Sequence, residues 1–239
     1  MKQIGTDIGT FVIPQDIYDR SEEGGIIKSL ETKGAYQYWV DEWAKEHSKP
    51  NSVVLDVGAN IGSKTLPFAR MHEGNVEVIA FEPVRVNIDI LEELVRVNQL
   101  DNVKIEPIGL SNKTTTAQVN FPSDDFGLEA TRGQGRISEE HIRNHASETV
   151  ELKRLDDLDI KNISFIKVDI EGDERQFIEG AEETLKRQSP AVVLEIFNQV
   201  KNGVTRGLVQ RSQKCFELMS DLGYKRIDEG KWKDALFIR

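Results

Sequence analysis

The stretch VVLDVGANIG, residues 53–62, passes from a run of apolar, largely β-branched residues into a cluster of small ones, and the remainder of the chain can be read outward from it. A short run that is apolar on both faces suits a strand of a parallel sheet covered on each side. Gly58 and Gly62 let the backbone turn tightly and let a ligand approach with no Cβ in the way. In an open α/β sheet, the crevice at a strand's carboxyl end is where ligands bind.

Four further runs share the pattern of SVVLDVG (52–58): VEVIAFE (76–82), VKIEPIG (103–109), SFIKVDI (164–170) and AVVLEIF (191–197). Helical periodicity lies between them. Val84, Ile88, Leu91 and Val95 share one face within 84–100, and Phe177, Ile178, Ala181 and Leu185 share one within 173–188, with Pro190 just beyond. Leu208, Cys215, Met219 and Leu222 form a stripe within 204–222, and Gly223 is placed to stop that helix. This alternation predicts an α/β, doubly wound sheet.

Two segments break the alternation. Residues 1–50 are expected to form an N-terminal helical cap around AYQYWVDEWAKEH (35–47), with Trp39 and Trp43 in packing roles. The strand-like runs TTTAQVNF (114–121) and TVELKRL (149–155) flank a polar insertion, 123–148, expected to act as a lid or binding loop. Residues after Gly223 read as a hairpin turning near Glu229-Gly230, with Lys225, Arg226, Lys231 and Lys233 as a solvated basic cluster. The expected organisation is one domain, 1–239, with a cofactor-binding core at 52–197 and a C-terminal helix and hairpin at 204–239.

Among 239 residues there are 31 Lys+Arg and 41 Asp+Glu, a formal net charge of −10. Affinity gained by neutralising phosphates is therefore disfavoured, and neither nucleic acid nor an anionic membrane is expected as a partner. A homo-oligomer is compatible with the composition. The single cysteine, Cys215, excludes an intramolecular disulfide and reads as a buried small apolar residue. With no apolar run of signal-peptide or membrane-spanning length, a soluble, cytoplasmic protein is expected.

The chemistry centres on Asp56, Gly58, Asn60 and Gly62, followed 26 residues after Asp56 by Glu82 at the end of the second strand, where a carboxylate can accept both hydroxyl protons of a ribose. A dinucleotide fingerprint wants G-x-G-x-x-G and close approach to a pyrophosphate. Here the spacing is Gly58-x-x-x-Gly62, with Asn60 at the middle position. Asp56 places negative charge where a pyrophosphate would be repelled and an ammonium group welcomed, which favours S-adenosylmethionine over a dinucleotide. An NAD(P)-dependent oxidoreductase and a non-catalytic cofactor-binding interaction module stand as alternatives.

Four blocks in order, VVLDVGANIG, IAFEPVRVNIDILEELVRVNQL, LKRLDDL and SFIKVDIEGDERQFIEGAEETLKRQSPAVVLEIF, resemble the FkbM-type methyltransferases, a class I S-adenosylmethionine-dependent group. The resemblance implies a Rossmann-like, seven-stranded, mostly parallel sheet with helices on both faces and a C-terminal antiparallel hairpin. It also implies that Asp56, Gly58, Asn60 and Gly62 hold the methionine part of the cofactor, that Glu82 binds the ribose, and that Ile108 and Gly109 border the adenine. The KVDIEG block, with Asp169, Glu171 and Gly172, would close the fourth strand beside the reactive methyl, Asp169 also touching the cofactor. The implied reaction is transfer to an oxygen of a small molecule such as a sugar or a polyketide-like metabolite. An in-line displacement asks mainly for positioning, and a hydroxyl acceptor needs a proton acceptor. Asp169 and Glu171 are the catalytic candidates, and Glu195 is the third.

His141 and His145 stand four apart, but Ile142 occupies the place where a zinc-hydrolase motif needs Glu. His47 and His72 are expected to be solvated. Asp169 and Glu195 could contribute oxygen ligands to a divalent cation, as carboxylates do in some related enzymes. Nothing else in the sequence asks for a metal, and none is expected.

Overall fold

The computed structural model describes residues 1–22, 25–121, 136–138, 146–196, 206–229 and 234–239. The motif strand, β3 (Ser52–Val57), is an interior strand of the main sheet and is buried along its whole length. On one side it pairs in parallel with β4 (Val76–Phe81), which pairs with β5 (Val103–Glu106). On the other it pairs in parallel with β10 (Ile163–Val168), followed by β11 (Ala191–Glu195). Two antiparallel strands, β12 (Lys225–Glu229) and β13 (Asp234–Ile238), complete seven strands in the order β12-β13-β11-β10-β3-β4-β5. The chain reverses direction of winding between β3 and β10, so the crevice outside their carboxyl ends is the switch point where ligands bind.

Successive side chains of β3 and its neighbours serve two cores. Val54, Val78, Ala80 and Phe165 pack on one face with residues of α3 (Tyr38–His47), α4 (Thr65–Arg70) and α5 (Arg85–Val97). Leu55, Val57, Ile79 and Ile166 pack on the other with α6 (Glu174–Gly180), α7 (Glu182–Gln188) and α8 (Arg206–Asp221). Cys215, Met219 and Leu222 lie buried there, as the stripe predicted. Burial pushes the Cys215 thiol up to about 12, so it is a packing group and not a thiolate.

Three expectations need correction. Residues 1–50 are not all helical: β1 (Lys2–Thr6) and β2 (Gly9–Ile13) form a hairpin before α1 (Gln15–Asp19), α2 (Ile26–Lys33) and α3. It docks on the end of α5, where the Asn98 side chain accepts from the Thr10 N–H and donates to the Thr10 carbonyl, each at 2.7 Å. The run 103–109 is not one strand. Pro107 cannot donate to a ladder, and the chain leaves the main sheet there to form β6 (Gly109–Leu110) in a second, four-stranded sheet. That sheet joins β6 to β7 (Thr115–Phe121), β8 (Arg136–Ser138) and β9 (Ala146–Lys153), in the order β6-β9-β7-β8. The helix expected over 173–188 breaks at Ala181 into α6 and α7. A Cβ on Gly180 would stand 1.9 Å from the Ser111 carbonyl oxygen, so glycine is what lets the end of α6 press against that loop.

The described parts of the 123–148 insertion are β8 and the start of β9, both in ladders with β7. The rest of the expected lid, with His141 and His145, lies outside the described residues, as do Lys231, Lys233 and the turn at Gly230. Among the described residues no helix is long and apolar enough to cross a membrane.

Candidate active site

A cavity of about 360 Å3 opens at the carboxyl ends of β3, β4 and β10. Its walls come from four sources: the glycine loop after β3 with Gly58 and Asn60; the turn after β4 with Glu82, Pro83 and Val84; the DIEG turn after β10 with Asp169, Ile170 and Glu171; and Glu195 at the end of β11. Val119 and Phe121 of β7 and Gly109 and Leu110 of β6 add a side from the second sheet, so that sheet contributes through strands that precede the 123–148 insertion.

Gly58 has φ +75°, and a Cβ there would meet the Asp169 carbonyl oxygen at 2.0 Å, so the two loops touch through backbone. Asn60 is also left-handed, with φ +51°, a conformation that asparagine adopts more readily than most residues. Its N–H donates to Glu82 Oε2 at 2.8 Å, and the Val84 N–H donates to Oε1 at 3.0 Å. Glu82 is 4% exposed, and burial pushes its carboxyl up against the pull of these bonds.

Asp56 does not reach the cavity. It is fully buried beneath the loop, with Oδ2 accepting from the Thr65 hydroxyl at 2.6 Å and Oδ1 standing 3.4 Å from Lys167 Nζ. Asp56 and Lys167 are register partners on adjacent strands. The acidic side chain singled out in the sequence is thus met by a lysine beneath the loop. Gly62 and Ile108 are likewise absent from the lining: Gly62 lets the loop pack on Leu91 and Leu94 of α5, and Ile108 turns into the second core.

Asp169, Glu171 and Glu195, in contrast, converge. Each offers a carboxylate oxygen, all within 4.8 Å of one another, a spacing that a divalent cation could also bridge. Lys167 stands behind them, its Nζ 3.8 Å from Asp169 Oδ2 and donating to the Gly58 carbonyl at 2.9 Å. Burial alone would lower Lys167, but the Asp56 and Asp169 carboxylates outweigh it and hold the ammonium above its ordinary value. Glu171 and Gly172 both have positive φ, at +58° and +107°. The turn is braced by Glu174, whose Oε1 accepts from the Ile170 and Gly172 N–H groups at 3.1 and 3.2 Å.

Four residues of this site were not singled out from the sequence. Lys167 had a visible signal, being a lone cation inside an apolar strand and two residues from Asp169, hence on the same strand face. Glu174 had a weaker one, an acid at the start of a helix. Tyr36 and Lys64, which also line the cavity, had none: Tyr36 lies in the segment expected to form the helical cap, and Lys64 follows the glycine loop with no motif position of its own. Trp39 is half-buried and donates to Asp234 Oδ2 at 2.8 Å, while Trp43 is in the first core. His47 and His72 are half-buried rather than solvated and line no part of the cavity; His72 Nε2 lies 3.0 Å from Ser48 Oγ. Arg226 is not a free surface cation, since its guanidinium covers the Phe216 ring.

This strand order, with a carboxylate-lined cavity at the switch point, is the class I Rossmann-like methyltransferase fold. The chain belongs to the Methyltransferase FkbM domain family, whose model matches residues 56–225. It is similar to "Methyltransferase sdnD" of Sordaria araneosa, 29% identical over 162 residues, covering 56% of this chain and 61% of that protein. It is also similar to "2-O-methyltransferase NoeI" of Sinorhizobium fredii, 27% identical over 154 residues, covering 58% of this chain and 61% of that protein. The matches thus span about three fifths of those relatives' own lengths. Among solved structures, the FkbM methyltransferase of Methylobacillus flagellatus superposes with a TM-score of 0.52 at 16% identity, over 94% of this chain and 57% of that one. A SAM-dependent methyltransferase of Aquifex aeolicus superposes with a TM-score of 0.53 at 15% identity, over 95% and 98%. At these identities the two structures speak for the fold alone.

Proposed function

We propose that this chain transfers a methyl group from S-adenosylmethionine to a hydroxyl oxygen of a small molecule. The observation that carries the reading is the convergence of Asp169, Glu171 and Glu195 in the same cavity as the glycine loop and Glu82. The residues present fit the cofactor. The cavity is of small-molecule size. Each Glu82 oxygen accepts one backbone N–H and keeps acceptor capacity for a ribose hydroxyl. With Asp56 turned inward, the converging carboxylates of Asp169, Glu171 and Glu195 are the ones placed to attract the ammonium end.

When bound, S-adenosylmethionine supplies an electrophilic methyl group on a sulfonium. The chain's own work is positional. The Gly58–Asn60 backbone would hold the methionine end, Glu82 would orient the ribose, and Gly109 with Leu110 would border the adenine. Asp169 or Glu171 would take the proton leaving the acceptor hydroxyl, at a carboxylate oxygen facing the cavity. Oxygen as the acceptor atom is supported by a relative named as a 2-O-methyltransferase.

Calorimetry tests the cofactor: S-adenosylhomocysteine should bind and NAD(P) should not, and the reverse result ends the reading. Transfer of a labelled methyl to a panel of methyl glycosides and hydroxylated lactones tests the acceptor. With any acceptor found, Asp169→Asn and Glu171→Gln should each lower kcat; two fully active variants would remove the catalytic assignment.

A further inference from the structure

Tyr36 and Gln37 lie between α2 and α3, outside regular structure, yet both line the cavity. Gln37 is left-handed, with φ +47°. A single ammonium gathers this turn. Lys64 Nζ donates to the Tyr36 carbonyl, to the Gln37 carbonyl at 3.1 Å and to Asp41 Oδ1 at 2.6 Å. Lys64 comes two residues after Gly62 and is 2% exposed. A lysine so deeply buried is costly unless its protons find acceptors, and here all three acceptors belong to the 36–41 segment. The ammonium therefore selects one arrangement of that segment against the glycine-loop side of the cavity.

Tyr36 is the residue this arrangement delivers. Burial, and then the charges of Asp169, Glu195, Asp234 and Glu171, push its phenol well above the ordinary value, so it stays a protonated donor. We propose that Lys64 is a positioning residue, which fixes the Tyr36–Gln37 turn as a wall of the cavity and so presents the Tyr36 phenol to the acceptor beside Asp169, Glu171 and Glu195. The word acceptor rests on the methyl-transfer reading; the wall itself does not.

The test uses the full-length protein as wild type, Lys64→Met, Tyr36→Phe and the double variant Lys64→Met/Asp41→Asn, which orphans no buried charge if Lys64→Met alone fails to fold. Hydrogen exchange should accelerate roughly tenfold or more over residues 34–47 in the Lys64 variants, with the 53–62 strand and loop unchanged. Absorbance titration of the tyrosines carries the specific signature. One additional phenol should ionise near the ordinary tyrosine value, about 10, in the Lys64 variants, and Tyr36→Phe in the same background should abolish it. An unchanged tyrosine titration, or exchange that rises evenly along the chain, would overturn the proposal and leave Lys64 a general stability residue. Calorimetry of wild type with S-adenosylhomocysteine runs alongside. Its failure would overturn the methyl-transfer reading, while exchange and titration would still decide the wall.

Discussion

Lys167 and Asp56 stand side by side on adjacent parallel strands, Nζ 3.4 Å from Oδ1, and the same ammonium donates to the Gly58 carbonyl. The pair sits beneath the glycine loop, where Asp56 is fully buried, so its carboxylate cannot turn to water. Lys167→Met should cost about 3–5 kcal/mol, the range for leaving one member of a buried pair uncompensated. Asp56→Asn/Lys167→Met should recover part of that loss. Urea unfolding measures both, and a single-variant loss below about 1 kcal/mol would show that the pair does not hold the loop.

Glu82 has two tasks that can be separated. Glu82→Ala removes both the ribose acceptor and the anchor for the Asn60 and Val84 N–H groups, and should weaken S-adenosylhomocysteine binding by about 2 kcal/mol or more. Glu82→Gln keeps one oxygen acceptor and should fall between Ala and wild type. Equal affinity of all three proteins in calorimetry would dismiss the ribose role.

Glu174 ties stability to pH. It is 4% exposed, and burial raises its carboxyl from the ordinary 4.5 to about 7 despite the backbone N–H groups it accepts. A folded-state value above the unfolded one means that the folded protein binds the proton more tightly. The contribution is thus fully present below about 4.5 and is lost as pH rises through about 7. Relative to Glu174→Gln, wild type should lose up to about 3 kcal/mol between those limits. Denaturation midpoints of the two proteins that run parallel across this window would refute the assignment.

Gly58 is constrained twice, by φ +75° and by contact with the Asp169 carbonyl. Gly58→Ala should cost about 2–4 kcal/mol and push the two cavity loops apart, so that cofactor affinity falls with stability. Gly180→Ala offers a contrast. Its clash is with Ser111, and neither residue lines the cavity. It should lower the melting temperature while the folded fraction binds S-adenosylhomocysteine as wild type does.

The sheet was legible because its strands are apolar on both faces, a pattern that few other structures require, and the glycine loop was legible because its backbone conformations admit few residues. Pro107 was equally visible, but VKIEPIG was read through it, and the second sheet was missed as a result. The N-terminal hairpin is a short alternating pair beside a conspicuous Trp-rich helix, which drew the whole segment into a helical reading. At the site, Glu82, Asp169, Glu171 and Glu195 follow from being the acids at strand ends. The inward turn of Asp56 does not, because it depends on a partner more than a hundred residues away on the neighbouring strand. Tyr36 and Lys64 depend on how a turn folds back over the sheet, and no periodicity encodes that.

The position of β13 governs the order in which the sheet can be assembled. It lies between β11 and β12, pairing with both, although it is synthesised after either. On the ribosome, β3, β4, β5, β10 and β11 can associate as they emerge, but the flank of β11 stays bare until Asp234–Ile238 is free of the exit tunnel. During that interval the apolar edge around Val192 and Leu194 is exposed to pairing with other nascent chains. The last part of the sheet to be made is therefore an interior strand, and its arrival both places Asp234 beside Glu195 and covers the β11 edge.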